Sequence, residues 1–274
     1  MRATNGRLVA ANATGCLEVF STPFPESAWR VPWLHSLFGN AAAVASGVAA
    51  TLRAQGRDDV RVVAQAGDGG TVDIGLGCLS GMFERNDDVL FVCYDNQGYM
   101  NTGVQRSGAT PAAASTANTR PVGTRVGNAF GTGKSLPVIA MAHEIPYVAT
   151  ATVADLHDLE AKVTTAMSLH GARYLHVLVP CPVGWGTTSA DTIRVARLAS
   201  ESGLFPVFEA RDGEVTGVHR IRRQVPVEDY LRRQTRFAHL FTGEGRPDVV
   251  ARLQRQADRS IAHFGLIEEA DDDQ

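Results

Sequence analysis

The 274-residue sequence has little that ties a protein to membranes, nucleic acids or an oxidising compartment. No apolar run approaches the ~18 residues that suggest a membrane-spanning helix. The opening MRATNGRLVAANATGC lacks the apolar centre of a secretory signal. An excess of charge of one sign is also missing. The 26 Lys and Arg stand against 29 Asp and Glu, a formal charge of −3, which gives no case for nucleic acid or an anionic surface. Cysteine is scarce, and Cys16, Cys78, Cys93 and Cys181 include no C-x-x-C pair, so no disulfide framework is indicated. Each taken alone reads as a small buried hydrophobe. No internal repeat is visible. Together these absences describe a cytoplasmic protein.

What is present is a globular core: 44% of residues are hydrophobic, over a length that fits one large α/β domain or two small ones. Short β-branched runs alternate with alanine-rich helical ones. Strands are expected at 7–12, 60–66, 88–94, 147–151 and 174–179. Helices are expected at 40–55, 71–85, 136–144, 156–169 (with Asp155 as N-cap) and 191–202. The repeated alternation calls for an α/β fold, a parallel sheet with helices on both faces. After its opening Asp88 the run DVLFVCY is continuously apolar, as a strand covered on both sides should be. Residues 95–134 show no period and are rich in Gly, Thr, Asn and Ser, too long for an idle connection. From residue 206 the pattern changes to a hairpin about Asp212-Gly213, two polar helices near 227–236 and 247–264, and an acidic end, EEADDDQ. The expected division is an α/β domain over 1–205 and a C-terminal arm over 206–274.

The densest chemistry follows two strands. Gly67-Asp68-Gly69-Gly70 closes one strand and opens a helix. Glycines there let a backbone approach an anion, and helix N-terminal N–H groups point at it. A carboxylate beside a diphosphate needs a cation between them, so the tetrapeptide suggests a Mg²⁺-diphosphate site. The same sequence also occurs in ordinary turns. The next strand ends in Tyr94-Asp95-Asn96-Gln97-Gly98-Tyr99-Met100-Asn101-Thr102-Gly103. If the two strands are parallel neighbours, Asn96 and Asp68 meet at one edge of the sheet, where an amide oxygen and a backbone carbonyl complete an oxygen ligand set. The alternative is a loop that favours Asn and Gly for its turns.

GDGG followed by DNQGYMNTG resembles the thiamine-diphosphate motif of pyruvate:ferredoxin oxidoreductase beta subunits. The likeness runs from Asn12 to about Phe208, through NATGC, SLFGNAAAVASG, YMNTGVQRSGATP, IPYVATAT and HVLVPCPVGWG. It implies a thiamine-diphosphate-binding fold. It also implies Mg²⁺ held by Asp68, the Asn96 side chain and the Gly98 carbonyl, with Gly67, Gly69, Gly70 and Thr102 around the diphosphate. Asn101 would lie at the reacting ring as the catalytic contact. Gly15 and Cys16 would approach from the N-terminal side, with Ile74 and Met100 as apolar contacts or core. The implied reaction is oxidative decarboxylation of a 2-oxoacid, pyruvate first, to the acyl-coenzyme A or its reverse, with ferredoxin taking the electrons. The implied partners are an alpha subunit, which supplies a glutamate to the cofactor, and gamma or delta subunits.

The likeness also implies a 4Fe–4S cluster, for which Cys16 and Cys181 match two ligands. The other two belong to a C-x-x-C segment upstream of NATGC that this sequence does not show. Three readings fit: coding sequence before Met1, a segment from another polypeptide, or a chain without the cluster. The last keeps open a non-oxidative thiamine-dependent lyase or synthase, or a non-catalytic subunit. Gly39 stands where the likeness implies Glu. His35, His143 and His176, with Trp29, Trp33 and Trp185, read as packing residues by default. The arginines from Arg220 to Arg236 read as a solvated face or a subunit contact.

Overall fold

The computed structural model describes residues 2–27 and 29–267, so the acidic end lies outside the described residues. In chain order the strands and helices are β1 (Leu8–Ala13), α1 (Cys16–Ser21), β2 (Trp33–Ser36), α2 (Ala41–Ala54), β3 (Arg61–Gly67), α3 (Leu76–Glu84), β4 (Val89–Asp95), α4 (Leu136–Met141) and β5 (Tyr147–Thr152). They continue with α5 (Leu156–Ser168), β6 (Arg173–Leu178), α6 (Pro182–Trp185), α7 (Thr192–Glu201), β7 (Phe208–Arg211), β8 (Glu214–Val218), α8 (Val227–Leu231) and α9 (Pro247–Phe264).

The eight strands form one sheet in the order β2-β1-β3-β4-β6-β5-β7-β8. The first six positions are parallel, and β7 and β8 add antiparallel at one edge. Parallel pairing needs crossovers, and the helices supply them on both faces. Alternate residues of β3 and β4 show this. Val62, Ala64, Phe91 and Cys93 pack with α2, α3 and α4. Val63, Leu90 and Val92 pack on the other face with α5. Burying such a side chain contributes about 1.5–3 kcal/mol, which is why β4 is apolar from Val89 to Cys93 at every position rather than every second one. A third cluster joins Trp185, α7, α8 and α9 beneath the long loop.

The predicted elements appear with shifted ends. Asp155 caps α5, its Oδ1 accepting from His157 N (3.1 Å) and Asp158 N (3.0 Å). Gly203 ends α7 at φ +78°, as a glycine past a helix can. The helix expected over 71–85 begins instead as a wide π turn, Gly69–Asp73, and restarts at Leu76. The helix after Ser135 stops at Met141, short of Glu144. The helix expected over 227–236 is five residues of α8 and then a 3₁₀ turn at Thr235–Leu240. Three elements have no sequence expectation. β2 buries only Ser36, α1 buries nothing, and α6 is one turn with Gly184 inside it. Between β4 and α4 the chain has no helix or strand, as the missing period implies. Among the described residues, no helix is long and apolar enough to cross a membrane.

Candidate functional site

The chain leaves the carboxyl ends of β1, β3, β4 and β6 on the same edge of the sheet. Gly67 is in register with Tyr94, so Asp68 and Asn96 each stand just past a neighbouring strand end. The segments after β1, β3 and β4 enclose a cleft of ≈ 190 Å³. Gly15, Cys16, Gly67, Asp68, Gly69, Gly70, Asn96, Gly98, Asn101 and Thr102 all line it, as does Met100. Ile74 does not, and is 64% exposed. Cys181 lies outside the lining, at the N-cap of α6, where its thiol accepts from Gly184 N (3.4 Å).

Asp68 is 1% exposed, and its Oδ2 accepts from Ser107 Oγ at 2.5 Å. Burial pushes its carboxyl well above the usual carboxylate range, Asp95 adds to this, and the Ser107 hydroxyl opposes it. Asn96 has two settings. With one, its amide nitrogen donates to the Gly98 carbonyl (2.9 Å) and to Asp68 Oδ1 (3.0 Å). With the other, the nitrogen meets Cys16 Sγ at 3.7 Å and the amide oxygen faces those two oxygens. Three oxygens then converge, a donor set that suits a hard cation such as Mg²⁺ once the Asp68 carboxyl gives up its proton. Asn12, also in the lining, is buried with an unpartnered Oδ1, an acceptor available to a ligand's N–H.

The glycines divide into two kinds. A Cβ on Gly15 would meet nothing within 4 Å, and one on Gly67 only Tyr94 O at 3.9 Å, so these two leave the cleft open. Gly69 and Gly70 are small for another reason. A Cβ would strike the Tyr99 ring at 2.5 Å or the Phe38 carbonyl oxygen at 2.9 Å. At Gly39 a Cβ would crowd the Ile74 carbonyl at 3.2 Å, so a glutamate there would need Ile74 to give by a few tenths of an ångström. Asn101 and Thr102 are exposed at the rim, and the Thr102 hydroxyl is engaged by Gln105 Oε1.

Burial pushes the Cys16 thiol up; Cys181 and Asp68 add to this and the Asn96 amide opposes it. Cys78 packs beside the core on α3, and Cys93 is buried in β4. Among the described residues, no group of three or more His, Cys, Asp or Glu side chains gathers to hold a metal. Two thiols do not make a 4Fe–4S site, so the residues present do not fit that cluster.

Several residues around the cleft carry no sequence signal. Ser107, from the long loop, holds Asp68. Asp95 accepts from Gln97 N (2.8 Å) through Oδ1 and pairs with His176 Nε2 (3.0 Å) through Oδ2. His176, expected in the core, is buried and also bonds Tyr174. His35 bonds the Thr14 hydroxyl at 2.8 Å. Trp185 donates to the Asn96 carbonyl at 2.7 Å. Ser107 also accepts from Ala109 N (3.2 Å), so Ser107→Ala orphans one backbone donor and frees Asp68. The expected result is roughly tenfold weaker Mg²⁺ binding with a stability loss of about 1–2 kcal/mol, read by calorimetry and chemical denaturation. Unchanged Mg²⁺ affinity would remove Ser107 from the site.

The chain matches the thiamine pyrophosphate enzyme C-terminal TPP binding domain over residues 13–177. It is 51% identical over 259 residues to the pyruvate synthase subunit PorB of Methanosarcina barkeri, covering 94% of this chain and 87% of that one. It is 40% identical to the ketoisovalerate oxidoreductase subunit VorB of Pyrococcus abyssi, covering 82% and 74%. Among solved structures it is similar to the 2-oxoglutarate:ferredoxin oxidoreductase of Magnetococcus marinus, with TM-score 0.56 and 26% identity over 69% of this chain and 58% of that chain. With the motif residues gathered in one cleft at the strand ends, these matches place the chain in a family: it belongs with the pyruvate synthase PorB subunits, thiamine-diphosphate-binding members of the 2-oxoacid:ferredoxin oxidoreductases.

Proposed function

We propose that the cleft holds thiamine diphosphate through Mg²⁺, and that the chain serves oxidative decarboxylation of pyruvate to acetyl-coenzyme A, or its reverse, with ferredoxin exchanging the electrons. The observation that carries this is the convergence of the Asp68 carboxyl, the Gly98 carbonyl and the Asn96 side-chain amide, which can turn its oxygen to a cation, in a cleft left open by Gly15 and Gly67. Bound there, the cofactor supplies a nucleophilic carbon and an electron sink for decarboxylation. The chain's own tasks are narrower. Asp68, Asn96 and the Gly98 carbonyl grip the cation, and the backbone at Gly67 faces the diphosphate. Asn12 accepts from the cofactor, and Asn101 stands at the rim toward the substrate. Packed walls of Phe38, Tyr94 and Tyr99 keep water from the interior.

The rim argues for a partner over the cleft. Val19, Phe20, Leu37 and Ile74 are 55%, 72%, 75% and 64% exposed, and each stands within four residues of one that lines the cleft; Phe24, past the end of α1, is 95% exposed. Exposed apolar residues gathered in this way mark a protein interface, which fits an alpha subunit that completes the site. Iron–sulfur ligands beyond Cys16 and Cys181 must come from elsewhere if the cluster is present.

The test is the complex co-expressed with its genomic neighbours. Calorimetry should show thiamine diphosphate binding only with Mg²⁺, and ferredoxin should be reduced on adding pyruvate and coenzyme A. No Mg²⁺-dependent binding would refute the site. Binding with acid decarboxylation but no electron transfer would instead favour a non-oxidative lyase or synthase, which the two-thiol count also suits.

A further inference from the structure

We propose that Arg236, from the 3₁₀ turn near the end of the chain, is a positioning residue that sets two of the three metal-facing oxygens by holding Gln97. This rests on the Mg²⁺ reading above.

Gln97 lies between Asn96 and Gly98, so its backbone direction decides where the Asn96 side chain and the Gly98 carbonyl point. It sits at φ +63°, a left-handed conformation unusual for a residue other than glycine. Left alone, that residue would relax and swing its two neighbours apart. It is held at three points. Its N–H donates to Asp95 Oδ1 (2.8 Å), its carbonyl accepts from Thr110 Oγ1 (2.7 Å), and its side-chain Oε1 accepts from Arg236 Nη2 (2.6 Å).

Arg236 is itself unusual. It is 5% exposed, and its side-chain hydrogen bonds go to neutral groups: Gln97 Oε1, Gln234 Oε1 (2.9 Å) and Tyr230 OH (3.4 Å). Among the described residues no carboxylate pairs with it. A buried guanidinium without a carboxylate is costly to keep. Its guanidinium also lies over the ring faces of Trp185, at 3.8 Å, and of Phe237, at 5.0 Å, and Trp185 is the residue that donates to the Asn96 carbonyl. Arg236 therefore touches the metal-facing turn twice, directly through Gln97 and through the ring that fixes Asn96. A lysine cannot reproduce this, because one ammonium lacks the planar fork that serves Gln97 and Gln234 together while lying flat on an indole.

The test uses the assembled complex and reads Mg²⁺ affinity in the presence of thiamine diphosphate by calorimetry, with thermal unfolding alongside. Arg236→Met keeps the stem against Trp185 and loses the fork. It should weaken Mg²⁺ binding roughly tenfold or more, the usual effect of losing an outer partner of a ligand, and Arg236→Lys should not rescue it. The decisive variant is Gln97→Gly in the Arg236→Met background. Glycine adopts φ +63° without a clamp, so it should recover most of the lost affinity. A purely structural Arg236 would lower the unfolding temperature, and glycine at 97 would restore nothing. The proposal is overturned by Arg236→Met with wild-type Mg²⁺ affinity, or by a double variant as weak as the single one. If the unsubstituted complex shows no Mg²⁺-dependent binding at all, the failure belongs to the functional reading and not to Arg236.

Discussion

Asp68→Asn in the assembled complex is expected to lower activity on the order of a thousandfold, the loss that about 4 kcal/mol of missing charge stabilisation produces. The fold should survive. Asparagine has the same shape, and its amide oxygen can still accept from Ser107 Oγ. What disappears is, among the described residues, the one carboxylate in the lining, and with it the charge that a cation needs to lie between protein and diphosphate. A buried carboxylate with no counter-ion is a burden on folding, so the metal-free variant should be as stable as the parent or gain about 1 kcal/mol. Calorimetric titration with Mg²⁺ and thiamine diphosphate gives the direct reading, and retained wild-type affinity would end the metal assignment.

The same carboxyl gives the metal-free chain a pH signature. Its folded pKa lies above the ordinary carboxyl value of 3.8, because burial and Asp95 both oppose the charge. The folded state thus keeps a proton that the unfolded chain releases. The stability linked to that proton is complete below pH 3.8 and is lost as pH rises through the raised folded pKa. In chelator, the parent should therefore lose stability on the way from acid to neutral pH, and Asp68→Asn should not share that part of the slope. Mg²⁺ should flatten it in the parent, since the cation takes the proton's place.

How much of this was legible in the sequence depended on whether a residue's role is local or assembled. β4 was legible because a strand covered on both faces is apolar on both, as Val89 to Cys93 are, and α5 because Asp155 announces its own cap. Asp68 and Asn96 were legible because parallel neighbours bring their ends together, a matter of topology more than contact. β2 was not, since WLHS is short and mostly exposed, and its strand character comes from pairing with β1. α6 was not, since Gly184 is a poor helix former, and the turn is held by the Cys181 cap and by close packing on Met100. The long loop was flagged by its lack of period, yet which of its residues matter was hidden. Ser107 works across 39 residues and Arg236 across 139, and no local pattern encodes such pairings. The glycines carry a different lesson. GDGG reads as one anion cradle, but Gly69 and Gly70 are small to make room for Tyr99 and Phe38, and the open positions are Gly67 and the distant Gly15.

The isolated chain, given thiamine diphosphate, Mg²⁺ and pyruvate, is expected to release no sustained carbon dioxide, and the complex with the proposed alpha subunit is expected to restore turnover. In the proposed function the cofactor-activating glutamate comes from that partner, and the cleft is consistent with such a division. Among the described residues its lining holds one carboxylate, Asp68, which is already committed to Ser107 and to the metal-facing set. A carboxylate cannot both ligate the cation and serve the opposite end of the cofactor. Missing proton transfer alone removes roughly 10²–10⁴-fold, and a half-walled site adds to this, because water reaches a cleft whose apolar rim lies bare. Phe24 at 95% exposure and Leu37 at 75% are the residues to watch. Phe24→Asp and Leu37→Asp should weaken assembly and cut turnover in the mixture, while Mg²⁺ binding by the chain itself stays as it was. Steady decarboxylation by the chain alone, measured as labelled carbon dioxide from labelled pyruvate, would show that the second carboxylate lies within these residues after all.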